Sequence, residues 1–223
     1  MIYTPITLRA SAAVAVPTTE YSVHDVAKKT SVATATTSNK LTDSAGAFTT
    51  TAGNGVIVAI GDIVKNTTTG KFALVTAIDS ATALSLSADI MADTNAYSIY
   101  PGIGALINQK AIELQVILDV TAAATDATDT LDVYVDTSFD GGASFVNIGH
   151  FTQVLGNGGA KKFIMGFKAA PIAASNCVAF TADQAAGAAL QMGFGDRIRV
   201  RSVTVDASTQ NASFTYSVKA HVK

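Results

Sequence analysis

Ala111–Val120 reads AIELQVILDV. Ile112, Leu114, Val116, Leu118 and Val120 fall on one side of an extended chain, and Glu113, Gln115, Ile117 and Asp119 on the other. A period of two belongs to a strand with one buried face, because successive side chains point to opposite sides of a sheet. Working outward, TLDVYVDTS (130–138) repeats the pattern, with Leu131, Val133 and Val135 set against Asp132, Tyr134 and Asp136. SFTYSVKAHV (213–222) is almost pure alternation through Phe214, Tyr216, Val218, Ala220 and Val222. SFVNIGHF (144–151), KKFIMGF (161–167) and DRIRVRSVTV (196–205) supply further strands, and Asp140-Gly141-Gly142 supplies a turn. Several such strands separated by turns predict a β-sandwich of jelly-roll type over residues 105–223. ADQAAGAALQM (182–192) has helix-forming composition and predicts one short helix despite Gly187.

Upstream the signal is shorter-ranged. Val56, Val58 and Ile60 alternate, Ile63-Val64 leads into the turn cluster NTTTGK (66–71), and Phe72–Ile78 is rich in strand formers. DSAT (79–82) turns the chain, Leu84 and Leu86 alternate within Ala83–Ser87, and AYSIY (96–100) closes the series. Short strands are expected around Lys40–Leu41 and Ala47–Thr50. Residues 31–104 thus read as a small antiparallel β-barrel or meander module, bounded by Pro101-Gly102 and Gly104. Residues 1–30 lack periodicity, and Pro5 and Pro17 remove two backbone donors. They read either as an extended N-terminal arm docking through Ile2, Tyr3, Ile6 and Leu8, or as a frayed terminus with one short strand. The fold class expected is therefore all-β: arm, small module, sandwich.

Charged residues make up 14% of the 223, against about 25% in an ordinary domain. A surface so poor in charge favours burial against partners, so a homo-oligomer is expected. The net charge of −2 argues against sequence-independent nucleic-acid binding. No apolar run reaches the roughly 18–20 residues a membrane-spanning helix needs. The start lacks a basic region ahead of an apolar stretch and reads as mature chain. Cys177 is the single cysteine, so no internal disulfide forms, which fits synthesis in a reducing cytoplasm.

Two blocks resemble tailed-bacteriophage virion structural proteins. Residues 39–100, with GDIVKNTT (61–68) and VTAIDSATALSLS (75–87), resemble a small β module recurrent in such proteins. LDVYVDTSFDGGASFVNIGHFTQ (131–153), with FGDRIRVRSVTV (194–205) and SFTYSVKAHV (213–222), is similar to phage head or tail accessory domains. The alanine-rich stretch 169–194 and Phe145, where tryptophan is common, depart from that pattern. The resemblance implies a head decoration or cement protein, a homotrimer on the phage head surface bridging subunits of the major capsid protein. A tail or neck subunit is the alternative, and a receptor- or carbohydrate-binding module a second one.

No catalytic constellation is legible, and no enzyme activity, cofactor or metal is expected. Asp136, Ser138 and Asp140 occupy the first, third and fifth places of a calcium-loop pattern, but the twelfth place is Asn147 rather than glutamate. An Asp-Gly hairpin explains the same residues. Arg197, Arg199 and Arg201 share one face of a strand and are expected to pair with carboxylates on neighbouring strands or subunits. His24, His150 and His221 are isolated in sequence. LGNGGAKK (155–162) lacks a full phosphate-loop pattern and reads as a hairpin tip. Asn66 and Asn211 lie in glycosylation sequons, irrelevant to a bacterial host.

Overall fold

The computed structural model describes residues 4–15, 18–49, 57–107, 111–168, 183–190, 193–207 and 213–223. Ile2, Tyr3, Cys177 and Asn211 lie outside them. The chain forms two compact units, Met1–Thr18 with Gly104–Lys223, and Thr19–Ile103. Every regular element among the described residues is a β-strand.

The first strand, β1 (Thr4–Ala15), corrects the expected arm. It runs antiparallel along the last strand of the chain, from Thr4 opposite Val222 to Ala15 opposite Ser213. Leu8 and Val14 are buried in the core of that unit, and Ile6 packs against it. Leu8 is therefore no anchor for a neighbouring subunit. Pro5 is tolerated because β1 is an edge strand. Two register shifts flank Arg9 and turn it inward. Its guanidinium lies 3.8 Å from the centre of the Tyr216 ring. Nη1 donates to the carbonyls of Tyr216, Ala10 and Ala12, which the bulge would otherwise leave poorly matched.

β2 (Thr18–Tyr21) begins in the larger unit and belongs to one of its sheets. The smaller unit carries β3 (Lys29–Val32), β4 (Lys40–Thr42), β5 (Ile63–Asn66), β6 (Phe72–Ser80), β7 (Ala83–Leu86) and β8 (Ala96–Tyr100), which form one antiparallel sheet in the order β3-β8-β5-β6-β7-β4. A bridge from Ala35 to Thr42 joins its two ends, curling the sheet towards a barrel. Leu41, Phe48, Val64, Val75, Leu84, Tyr97 and Ile99 fill it. Among the described residues, two expected stretches form no strand. Ala47 has φ 48°, a conformation no strand residue adopts, and 57–59 run as an irregular segment with only Val58 buried. Asn66 is fully buried. Its amide donates to Ile90 O and Asn95 Oδ1, and its Oδ1 accepts from the amides of Thr68 and Thr69. The sequon asparagine is thus a fastening of the turn, out of reach of modification.

Beyond Ile103 the chain returns to the larger unit through β9 (Ala105–Leu106), β10 (Glu113–Ala122), β11 (Thr130–Ser138), β12 (Val146–His150), β13 (Val154–Leu155), β14 (Lys161–Lys168), β15 (Arg197–Val205) and β16 (Ser213–Val222). One sheet has the order β1-β16-β10-β14. The other has the order β12-β11-β15-β2, with β13 also on β11 and β9 on β15. The chain alternates between sheets from β10 to β11, from β13 to β14, and again to β15 and β16. That Greek-key path is the jelly roll expected from the sequence. Leu114, Val116, Leu118 and Val120 of β10 share one core with Leu131, Val133, Val135, Ile198, Val200, Phe214, Tyr216 and Val218. Burying each large aliphatic or aromatic side chain contributes about 1.5–3 kcal/mol. Ile112, placed inward by its parity, precedes β10 and is 59% exposed.

Two local expectations change. Residues 183–190 contain a turn and a single β-bridge, from Ala189 to Gly149, instead of a helix. Gly187 has φ 79°, outside helical space, and the segment's backbone bonds go to β12. The glycine-rich stretch after Leu155 is a crossover between the two sheets, since β13 pairs with β11 and β14 with β10. Gly156 is required there: a Cβ would lie 1.6 Å from Asp126 O.

Candidate functional site

The outward face of β11 and β15 carries the densest polar cluster of the larger unit. Register sets its rows: Tyr134 opposite Arg201, Asp136 opposite Arg199, and Ser138 opposite Arg197. On the other flank of β11, Tyr134 faces His150 and Asp136 faces Asn147. Asn147 and His150 are three residues apart, so a regular strand would send them to opposite faces. A register shift between Val135 and Asp136 absorbs the extra residue and brings both to the outer face.

The predicted arginine stripe meets its carboxylates here. Asp136, 4% exposed, lies 3.4 Å from Arg199 Nη2 and 3.7 Å from Arg201 Nε, and it accepts a bond from Asn147 Nδ2 at 3.0 Å. Arg201 also pairs with Asp183 at 2.6 Å. Each of these arginines covers an aromatic ring, Arg199 that of Phe145 at 4.0 Å and Arg201 that of Tyr134 at 4.1 Å. Arg197 stands apart from the carboxylates and reaches Gly104 O at 3.4 Å. Asp132 and Asp136, expected on an exposed face, are buried, the first against His150 and Gln153 and the second among Arg199, Arg201 and Asn147.

His150 closes the row. Its ring stacks on Tyr134 with centroids 4.1 Å apart. Nε2 is 2.9 Å from Asp132 Oδ1, and Nδ1 is 3.0 Å from Gln184 O. Gln153 Nε2 donates to both oxygens of Asp132. Burial, then the charges of Asp132 and Asp183, pushes the Tyr134 phenol above its ordinary value, so the stacked ring stays neutral. Both nitrogens of His150 are engaged and the residue is 6% exposed, so it presents no free base to a substrate. Isolated in sequence, His150 joins the row only through the bulge in β12, which no periodicity reveals.

The calcium-like loop resolves as a hairpin end. Asp140 accepts bonds from Ser144 Oγ, Ser144 N and Ser138 Oγ, and these hold its carboxyl down to about 2. Gly141 and Gly142 turn the chain at φ 75° and 97°. Asp136 points into the arginine row instead of joining Asp140. Among the described residues no group of three or more His, Cys, Asp or Glu could hold a metal ion. No helix among them is long and apolar enough to cross a membrane.

The outer face of β10, β14 and β16 is built differently. Ile117 sits opposite Ile164 on one side and Lys219 on the other. Around them stand Lys162, Lys168 and Lys223, with Glu113 and Asp119 as the acidic members of the face. Ile164 is 66% exposed, and Lys162 reaches Asp119 at 3.1 Å from an open position. His221 lies on the same face, opposite Gln115.

No protein family, curated protein or solved structure matches the chain.

Proposed function

We propose that this protein is a virion structural subunit of a tailed phage, a decoration protein that binds the outside of the head as a homotrimer and bridges subunits of the capsid shell. The observation that carries the reading is the open face of the four-stranded sheet. It has an apolar centre, Ile117 and Ile164, inside a rim of Lys162, Lys168, Lys219 and Lys223. An apolar centre within a charged rim is how protein interfaces are built. A low charge content, 14%, and the two blocks resembling phage structural modules support the same assignment.

The mechanism requires no chemistry. A protein that binds only the assembled shell stabilises it by mass action. Three copies held together multiply occupancy even where each contact is weak. With Leu8 in the core, the sheet face takes the docking role that the arm was expected to play. The test pairs solution mass with antibody labelling of virions from a phage carrying this coding sequence. The reading expects three chains per particle in solution and label over the head. Label on the tail, or a higher-order ring in micrographs, would transfer the protein to the tail or neck. A monomer absent from virions would end the assignment. In a protein that does decorate heads, Ile164→Asp should lower occupancy at least tenfold with folding intact.

A further inference from the structure

The four-stranded sheet of the larger unit ends in two unlike edges. At one side, β1 is interrupted by register shifts around Arg9 and carries Pro5, both of which spoil an edge as a template for pairing. At the other, β14 runs beside β10 through eight consecutive residues without a break. Among the described residues nothing pairs with its outer side. The edge of β12 in the other sheet is different again, since Ala189 bridges to Gly149 there. A regular strand with a free row of amides and carbonyls can take up an extended segment of another chain, whose alternate side chains then set the specificity.

The outward residues of β14 define what such a segment must carry. They are Lys162, Ile164, Gly166 and Lys168, and all four are exposed. Lys168 faces Glu113 in register, but Glu113 turns to Lys223 at 3.7 Å and accepts a bond from Gln115 Nε2. Among the described residues Lys168 therefore has no ion pair. A Cβ built on Gly166 would meet nothing within 4 Å, so a ring on a neighbouring strand has room to lie over it. With lysine at both ends, β14 repels a second copy of itself, because like charges directly opposite destabilise a strand pair. The same lysines favour a strand that brings carboxylates to the matching places.

We propose that β14 is a docking edge for an extended acidic segment of a partner protein, which joins the four-stranded sheet as a fifth strand. The inference rests on the reading of this face as the docking surface and gives its partner a form. Antiparallel pairing, which β14 already adopts with β10, sets the order of the segment. From its N-terminus it carries a carboxylate opposite Lys168, a ring opposite Gly166, an aliphatic side chain opposite Ile164 and a second carboxylate opposite Lys162. The residues between them point to the other side of the sheet, beside Phe167, Met165 and Phe163, and are small or apolar. Main-chain bonds attach the strand, and the two ion pairs select it.

The experiment titrates the full chain at low salt with a capped heptapeptide, Glu-Thr-Tyr-Val-Val-Thr-Glu, and follows the backbone amides by NMR. Binding should saturate, and the amides of β14 should shift and gain protection from hydrogen exchange while those of β11 and β15 stay unchanged. A peptide with lysine in place of both glutamates should bind about tenfold more weakly, and salt at about 0.5 M should erase most of that difference. Gly166→Val fills open space with a residue suited to a strand. It should weaken the tyrosine peptide about tenfold and spare one with glycine in the tyrosine's place; the charge-swapped peptide keeps the test open if that variant does not fold. No saturation in the millimolar range, equal binding of the lysine peptide, or shifts confined to residues off β14 would each overturn the proposal. So would β14 amides that gain protection with protein concentration alone, which would make a second copy the occupant. Label over virion heads from a chain that ignores the peptide would overturn the added strand and keep the docking face. Peptide binding along β14 by a protein absent from virions would support the strand and end the decoration reading.

Discussion

The two sheets of the larger unit present opposite outer faces to their surroundings, yet their strands read alike. On β10 and β14 the outward pairs are Asp119–Lys162, Ile117–Ile164 and Glu113–Lys168, all at least partly open to solvent. On β11 and β15 they are Tyr134–Arg201 and Asp136–Arg199, with Asp136 and Arg199 buried. Both faces alternate with a period of two. The difference lies in what the outward side chains can do with one another. Arginine is planar, stacks on aromatic rings and bonds carboxylates in a fixed geometry. Tyr134 and Phe145 provide the rings and Asp136 the carboxylate, so the row condenses into a layer on which 183–190 can rest. Lysine is a flexible, strongly hydrated point charge, and the lysine-rimmed face stays open. One face is already occupied from within the chain, and the other remains available to a partner.

The largest effect that would sharpen this contrast comes from Asp136→Ala. Removing the carboxylate takes Asp136 away from the buried Arg199, while Arg201 keeps Asp183, and loss of one member of a buried ion pair costs about 3–5 kcal/mol. Urea denaturation should show it as a lower midpoint with an unchanged slope. A loss under about 1 kcal/mol would mean that the arginine row is solvated like its counterpart and that the two faces do not differ in kind.

A smaller effect tests whether a covered carboxylate needs a cation at all. In the smaller unit Asp43 is 1% exposed, and Tyr97 Oη donates to it at 2.6 Å. Burial raises the Asp43 carboxyl, but the bonds from Tyr97, Ala45 N and Ser31, together with Lys29, outweigh it and hold the group below its ordinary value. A depressed folded value means stability that is present above the unfolded carboxylate value, about 3.9, and lost as pH falls through the lower folded one. Tyr97→Phe should cost about 1–2 kcal/mol near neutral pH and start acid unfolding at a higher pH than in the parent chain. Circular dichroism melts over an acid series would read both. An unchanged acid limb would remove Tyr97 from the account.

How much of this was legible follows from where each signal resides. Alternation in Ala111–Val120, Thr130–Ser138 and Ser213–Val222 fixes which residues point to the core, because it is a property of single strands. The arginine row was legible for the same reason, as Arg197, Arg199 and Arg201 share a parity. Its partners were not, because the pairing of Asp136 with Arg199 depends on register between strands 63 residues apart. His150 was hidden by the bulge that re-aims β12. The arm misled because Ile6 and Leu8 fall among small residues and prolines, and only the free edge of β16 gives that stretch a sheet to join. Alanine richness in 182–192 suggests a helix, but the carbonyls and amides of β12 give the backbone of 187–190 a better set of partners.

The smallest effect bears on the open face. Asp119 and Lys162 are an ion pair 3.1 Å apart whose side chains remain 38% and 65% exposed. Water solvates both in either state, and holding two flexible side chains together costs entropy. Asp119→Ala should therefore change stability by less than about 1 kcal/mol, and added salt should erase most of that. Lys162→Ala should behave alike, and the double variant should show almost no coupling. The same substitutions should nevertheless alter association with a partner on this face, since rim charges govern encounter rate more than folding. A coupling above about 1.5 kcal/mol that persists in high salt would show the pair to be desolvated in the isolated chain. The face would then no longer be open, and the contrast between the two sheets would fail at the side on which the docking proposal depends.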